Sequence, residues 1–459
     1  MKHVSICFSL LLLVTSVGGL SAAEAASKPN IIVIYADDMG YGDCEIYNPG
    51  ITIPTPNINQ LAKEGLRFTD AHSAHATCTG SRYGLLTGIC PVRTGVSNTI
   101  NKYGPAIDDD EVTLAEFLKD QGYITKMVGK WHLGFDIPEG GSENTQAGTL
   151  TGGPLDRGFD YFLGNEAGVG SLGIKGREKV SSKGDAKERN RELCDDVIRI
   201  IKEHAAGDQN KPLFLYYALH EPHTPQIPEE EFHGKSGAKA YGDYIVQLDH
   251  WIGRVVNALK ETGLEKNTLV VFASDNGASK RNMSTCPGHT ANGVLSGHKA
   301  SPYEGGHRVP LIMKWPGRIP ASTVSAALVN HTDFFATFAE LLNVDLCEKY
   351  PGSAQDSYSF LPVLEDPSAQ HDRPGMVVLK SYRREMWKLI ADDHRGKVED
   401  VDMVALYNLE KDLPEKTNLI ETNPDTARLL FAEYKEFLVA RTLKAGTVKS
   451  QGRKQYREE

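Results

Sequence analysis

The chain has 459 residues, and its 60 Asp and Glu residues outnumber its 50 Lys and Arg, giving a formal net charge of −10. That balance excludes a protein that grips nucleic acid through a broad basic face. Apolar residues at 40% and charged residues at 24% are ordinary globular usage, which excludes disorder, and the length suffices for a core that needs no disulfide staples.

In chain order, the first feature is Lys2 followed by an apolar run from Ile6 to Val14, then Gly18, Gly19 and the small-residue stretch Ala23-Glu24-Ala25. A positive start, a short apolar run and an A-x-A site predict a signal peptide over residues 1–25 and an exported product, periplasmic or secreted. The glycines interrupt the run before the about 20 apolar residues that a membrane span needs. No stable membrane insertion is therefore expected. Of the seven cysteines (Cys7, Cys44, Cys78, Cys90, Cys194, Cys286 and Cys347), Cys7 leaves with this segment. No Cys-x-x-Cys spacing occurs, which argues against a zinc ribbon, and the pairing of the other six stays open.

Four apolar runs then end abruptly in polar, chemically capable residues. Ile31 to Tyr35 leads to Asp37-Asp38, and Tyr123 to Val128 leads to Gly129-Lys130-Trp131-His132. Leu213 to Leu219 leads to His220-Glu221-Pro222-His223, and Thr268 to Ala273 leads to Asp275-Asn276-Gly277. Runs with little polar alternation fit strands buried on both faces. Helical patterns lie between and after them, at Pro56 to Leu66, Leu114 to Gln121, Arg191 to His204, Tyr241 to Glu261 and Asp333 to Leu342. Strands alternating with helices predict an α/β fold, with a large mixed, mostly parallel sheet flanked by helices over residues 26–370. In such sheets ligands bind outside the carboxyl ends of the strands, so the four polar ends are expected to converge. From 371 to 459 the texture changes to short strands (Gly375 to Leu379, Trp387 to Ile390, Ala405 to Asn408) and a helix, Thr426 to Leu438. This predicts a smaller C-terminal antiparallel sheet plus helix, with a frayed tail from Lys444.

Asp37, Asp38, Asp275 and Asn276 offer hard oxygen donors of the kind that hold Ca²⁺ or Mg²⁺. For an Asp-Asp pair after one strand, a helix cap or loop role is the plainer alternative. Cys78 sits before a predicted helix, where exposed backbone N–H groups favour an anion, and Arg82 adds a fixed positive charge one turn on. A buried small side chain or half of a disulfide is the plainer reading for Cys78 taken alone.

The segment Cys78-Thr79-Gly80-Ser81-Arg82-Tyr83-Gly84-Leu85-Leu86-Thr87-Gly88 resembles the signature of the type I sulfatases, within the alkaline-phosphatase-like superfamily. Gly80 stands where that pattern has proline. Gly122 to His132 is similar to a second signature of the family. So are Asp37 to Asp43, Pro222-His223-Thr224-Pro225, Ser274 to Gly277, and Lys299 with Tyr303 to Pro310, all in order.

The resemblance implies a sulfuric ester hydrolase in which Cys78 is oxidised by a formylglycine-generating maturation enzyme. The hydrated aldehyde would attack the sulfur of a carbohydrate or aryl sulfate, beside Ca²⁺ held by Asp37, Asp38, Asp275, Asn276 and residue 78. Arg82, with Ca²⁺, would hold the charge of the attacking hydroxyl, Lys130, His223 and Lys299 would hold sulfate oxygens, with His223 the proton donor to the leaving alcohol, and His132 would take the proton of the second hydroxyl as base to expel sulfate. Mg²⁺ is the alternative ion. Alternatives for the whole chain are a phosphatase or phosphonate-ester hydrolase of the same superfamily, and a non-catalytic binder of sulfated glycans if Cys78 stays a thiol. Arg308 is expected to add positive charge to the same crevice, Tyr103 and Trp131 are open equally to stacking on a sugar and to packing, and His72, His75, His220, His289, His298 and His307 are further pocket candidates with local hydrogen bonding as the alternative role. The segments Gly140 to Gly153, Asn165 to Gly184 and Ala278 to Gly297 are expected to shape substrate choice.

Overall fold

Strands covered on both faces have no use for polar alternation, and the four apolar runs become the middle of one large sheet. The computed structural model describes residues 28–96, 104–136, 149–167, 173–180, 187–393 and 398–445. The expected signal peptide, Tyr103, most of the tail from Lys444 and parts of two substrate-loop segments lie outside the described residues. In chain order the strands are β1 (Asn30–Asp37), β2 (Leu66–Phe68), β3 (Ala71–His72), β4 (Ile124–Lys130), β5 (Tyr161–Asn165) and β6 (Gly173–Lys175). There follow β7 (Glu178–Val180), β8 (Leu213–Pro222), β9 (Thr268–Ser274), β10 (Leu311–Lys314) and β11 (Thr323–Ser325). The last are β12 (Val329–Asn330), β13 (Met376–Val378), β14 (Ser381–Arg384), β15 (Trp387–Asp393) and β16 (Val401–Asn408).

Ten strands form the main sheet in the order β11-β2-β10-β9-β1-β8-β4-β5-β6-β7. Its centre, β9-β1-β8-β4-β5, is parallel, and β10 and β6 run antiparallel at its flanks. The sheet is mixed and mostly parallel at the centre, as the sequence predicts. Strand alternation splits β1 between two cores. Ile31, Val33 and Tyr35 face one side with Tyr83, Leu85, Leu114, Phe117, Phe334 and Phe338 from three helices. Ile32, Ile34 and Ala36 face the other with Leu193, Val197, Ile200, Leu248, Ile252 and Val255. Those last residues lie on the helices Arg189–Ala206 and Lys239–Glu261, whose apolar stripes repeat every three to four positions. Each such side chain, fully buried, contributes about 1.5–3 kcal/mol, so the two layers clamp β1 firmly enough to fix its polar end.

The C-terminal unit is the antiparallel sheet β13-β14-β15-β16 with the helix Pro424–Ala445 packed on it through Ala427, Leu430, Tyr434 and Leu438. The sequence pattern missed β14, whose Ser-Tyr-Arg-Arg run lacks an apolar alternation. It pairs antiparallel with β13 and β15, packs Tyr382 in the apolar cluster, and Arg383 bonds Asp70 across the joint between the two sheets. Among the described residues no helix is long and apolar enough to cross a membrane.

Candidate active site

Parallel pairing sets the carboxyl ends of four strands side by side. Tyr35 of β1 pairs with Ala218 of β8 and Ala273 of β9, and Gly129 of β4 pairs with the same Ala218. The close approach at Ala218 requires glycine: a Cβ at Gly129 (φ +109°) would lie 1.9 Å from the Ala218 carbonyl oxygen. Asp37, Asp38, Lys130, Asp275 and Asn276 are thereby brought to one crevice, all buried.

Residue 78 enters that crevice from the sheet face. The helix Cys78–Thr87 is buried at every position, with Thr77 extended at its N-cap and Gly88 (φ +66°) ending it. A four-residue spacing puts Cys78 and Arg82 on one side of this helix. Cys78 Sγ lies 3.2 Å from Asp37 Oδ1 and 3.7 Å from Asp38 Oδ1. Arg82 donates to Asp275 Oδ2 at 2.8 Å and to the Lys130 carbonyl at 3.2 Å, with its guanidinium 5.6 Å from the Tyr35 ring centroid. Lys130 Nζ bonds Asp37 Oδ2 at 2.7 Å. Lys299, delivered by the loop after Gly297, donates to Asp38 Oδ1 at 2.5 Å and to Cys78 Sγ at 3.0 Å.

Three carboxylates thus face three cations, and the electrostatics follow. Burial opposes the charge on Asp37, but Lys130, His223, Arg82 and Lys299 outweigh it and hold the carboxyl well below the usual range. Burial and the Asp37 charge push Asp275 up to about 6, against Arg82 and Lys130. Burial, Asp275 and Asp37 push the Cys78 thiol well above its ordinary value. A nucleophilic thiolate needs the opposite shift, so this environment does not activate sulfur.

The fit of a hard cation rests on Asn276. Its Nδ2 donates to Asp38 Oδ1 at 2.8 Å, while its buried Oδ1 has no hydrogen-bond partner. A buried carbonyl oxygen left unpaired costs about 1–3 kcal/mol, an expense that a bound ion removes. Ligand atoms of Asp37, Asp38, Cys78 and His223 also lie within 4.8 Å of one another. An all-oxygen set of Asp37, Asp38, Asp275 and Asn276 suits Ca²⁺ or Mg²⁺.

Two histidines border the crevice. His223 follows β8, pairs its Nδ1 with the Thr224 carbonyl at 2.6 Å and keeps Nε2 3.8 Å from Asp38 Oδ2. His132 follows β4 in a left-handed conformation (φ +57°), with a buried, unpartnered Nδ1. Burial, then the Lys130 and Arg82 charges, depress its pKa well below the ordinary value, which leaves a neutral imidazole.

Other sequence candidates lie elsewhere. Arg308, expected to add positive charge to the crevice, instead bonds Glu304 and the Thr69 carbonyl and pairs with Asp70, in the ion cluster under the C-terminal sheet. His72 and His307 belong to the same cluster, 2.9 Å apart through their Nδ1 atoms. Trp131 is buried and its indole donates to the Gly134 carbonyl, so it offers no stacking face. His289 bonds Asp43 at 2.7 Å, and His298 bonds the Lys299 carbonyl. The six described cysteines are all free. Asn165 escaped notice: it ends β5, is fully buried and holds His220 Nε2 at 2.5 Å beside the crevice. Its signal was that same polar end to a short strand, hidden by an irregular run before it.

Comparison with known proteins gives this geometry a family. The sequence model of the family described as Sulfatase matches residues 29–344. The chain is 30% identical to an N-acetylgalactosamine-6-O-sulfatase of Bacteroides thetaiotaomicron, over 89% of this chain and 92% of that protein. It is 35% identical to human arylsulfatase A, over 77% of this chain and 70% of that protein. A solved structure from work on the metabolism of multiple glycosaminoglycans by Bacteroides thetaiotaomicron superposes with TM-score 0.78 and 29% identity, over 90% of this chain and 100% of that one. A crevice that gathers three cations around one buried cysteine, on a chain alike in sequence and in fold to these enzymes, identifies the protein as a member of the sulfatase family, a sulfuric ester hydrolase.

Proposed function

We propose that the chain hydrolyses a carbohydrate O-sulfate at this crevice, with residue 78 converted to formylglycine and Ca²⁺ held by Asp37, Asp38, Asp275, Asn276 and residue 78. The observation that carries the reading is the position of Cys78, its Sγ 3.0 Å from Lys299 Nζ and 3.2 Å from Asp37 Oδ1, at the focus of Lys130, Lys299 and Arg82. An oxygen on the residue-78 Cβ occupies nearly the same place as Sγ. Formylglycine hydrate supplies the oxygen nucleophile, and a divalent ion supplies positive charge beside it.

The chain's own groups do the rest. Lys130, Lys299 and His223 bind the sulfuryl oxygens, where negative charge grows as the ester bond breaks, and the buried Arg82 holds the charge of the attacking hydroxyl. Their partners Asp37, Asp38 and Asp275 fix them in advance, so little reorganisation accompanies the reaction. His223, the most exposed of these groups, holds a proton at Nε2 for the departing alkoxide. His132 accepts a proton through a neutral ring when sulfate is released. Export through the segment 1–25 belongs to the same proposal, since sulfated polysaccharides lie outside cells.

The near full-length relative makes the 6-sulfate of N-acetylgalactosamine the first substrate to test. Release of sulfate from that sugar and from an aryl sulfate, against phosphate release from the matching aryl phosphate, tests the reaction. A wide preference for phosphate refutes it. Mass spectrometry of the residue-78 peptide from the native host tests the nucleophile, and an intact, alkylatable thiol in active protein refutes the formylglycine assignment. A thiol in protein that binds sulfated glycan without turnover favours the binding reading instead.

A further inference from the structure

Gly80 lies in the first turn of the helix that begins at Cys78. A Cβ built on it would sit 2.5 Å from His75 Cγ, 2.7 Å from His75 Cβ and 2.8 Å from His75 Nδ1. Non-bonded carbons rest about 3.5–4.0 Å apart, so the imidazole already fills the side-chain space of position 80. His75 has no room to swing aside. The obstructing atoms include the root of its side chain, its carbonyl accepts from Ser73 Oγ and Ser81 Oγ, each at 2.6 Å, and its ring pairs with Thr77 Oγ1 at 2.8 Å.

The backbone at position 80 is not what selects glycine. Its φ is outside the left-handed region, and residues in the first helical turn have no intrahelical acceptor for their N–H, which is where proline is tolerated. The three atoms nearest to a Cβ there all belong to the histidine. Sequence at position 80 is therefore dictated by residue 75.

We propose that His75 is a positioning residue for residue 78, matched to Gly80. Its imidazole takes the place of a side chain at position 80 and, through Thr77 and Ser81, sets the turn that aims Cys78 and Arg82 at Asp37, Lys130 and Lys299. The inference rests on the proposed sulfatase site for its activity measurement, and on packing alone for its stability measurement.

The test is a cycle in the full-length protein: wild type, Gly80→Pro, His75→Gly and the double variant. Glycine is needed at 75 because His75 Cβ itself obstructs. Gly80→Ala, alone and with His75→Gly, forms a milder parallel cycle should Gly80→Pro fold poorly. Measurements are the melting midpoint, the modified fraction of residue 78, and kcat and KM on an aryl sulfate per modified site. Each single variant is expected to lower kcat by about tenfold or more with KM within about twofold, and the double variant to recover to within about threefold of wild type. Its midpoint should exceed that of both singles. A double variant no better than the combined losses of the singles, in midpoint and in kcat, overturns the pairing. If wild type turns over no sulfate ester while the midpoints still show recovery, the reaction assignment fails and the pairing stands.

Discussion

Lys299 Nζ lies 3.0 Å from Cys78 Sγ and 2.5 Å from Asp38 Oδ1, so one ammonium joins Cys78 to a carboxylate of the oxygen cluster. The two residues are 221 positions apart and meet through the loop after Gly297. Lys299→Ala removes the charge that, on the proposed mechanism, binds the sulfuryl oxygens, and frees Asp38. The expected result is a fall in kcat on an aryl sulfate of about 10²–10³-fold, with the melting midpoint nearly unchanged. A loss within twofold would place Lys299 outside the reaction.

Asn276→Ala deletes the buried oxygen that lacks a partner in the protein. Ca²⁺ affinity, followed by recovery of activity after chelation, is expected to weaken by at least about tenfold. Wild type treated with excess chelator should lose activity and regain it on Ca²⁺ addition. Undiminished activity in long exposure to chelator contradicts the ion assignment.

His132 carries a pKa depressed well below the ordinary histidine value by burial and by the Lys130 and Arg82 charges. Its neutral form, the one that accepts a proton, is populated above that depressed value. Activity is therefore expected to persist as pH falls below 6.5, with the acid limb of the kcat profile on the acidic side of an ordinary histidine. His132→Gln should remove this limb along with most of the rate. An unchanged limb in that variant assigns the titration to another group.

Glu221 controls stability rather than chemistry. Burial pushes its carboxyl up to about 7, while Gln247, Trp251 and neighbouring backbone hydrogen bonds only partly offset the shift. Its folded value lies above its unfolded one, so the stability it contributes is complete below the unfolded value of about 4.5 and is lost as pH rises through about 7. Glu221→Gln, which mimics the protonated acid, should gain about 3 kcal/mol over wild type at pH 8 and almost nothing at pH 4, measured by denaturant unfolding. Equal differences at both pH values would refute the buried ionisation.

Much of the site was legible because its geometry is local. Asp37-Asp38, Lys130, His223 and Asp275-Asn276 each end an apolar strand, and parallel strands converge at their ends. Cys78 and Arg82 are one helical turn apart. What escaped depends on side-chain contacts that no periodicity encodes. Arg308 looked like one more cation for the crevice until Asp70 and Glu304 claimed it, 238 and 4 positions away. The reason for glycine at position 80 was invisible, since His75 reaches it only once the preceding loop folds back over the helix. β14 was missed because its Ser-Tyr-Arg-Arg run buries an arginine, paired with Asp70 across the joint, beside one aromatic, and leaves no apolar period to read.

The order of the strands also sets a timetable. β1 is made first yet sits in the middle of the sheet, between β8 and β9. Asp38 and Asp275, bonded at 3.0 Å, are separated by 237 positions. A ribosome must deliver more than half of the polypeptide before the floor beneath Cys78 exists. Until then the segment from Cys78 to Thr87 lacks the strand ends that it meets in the folded chain, where it is buried at every position.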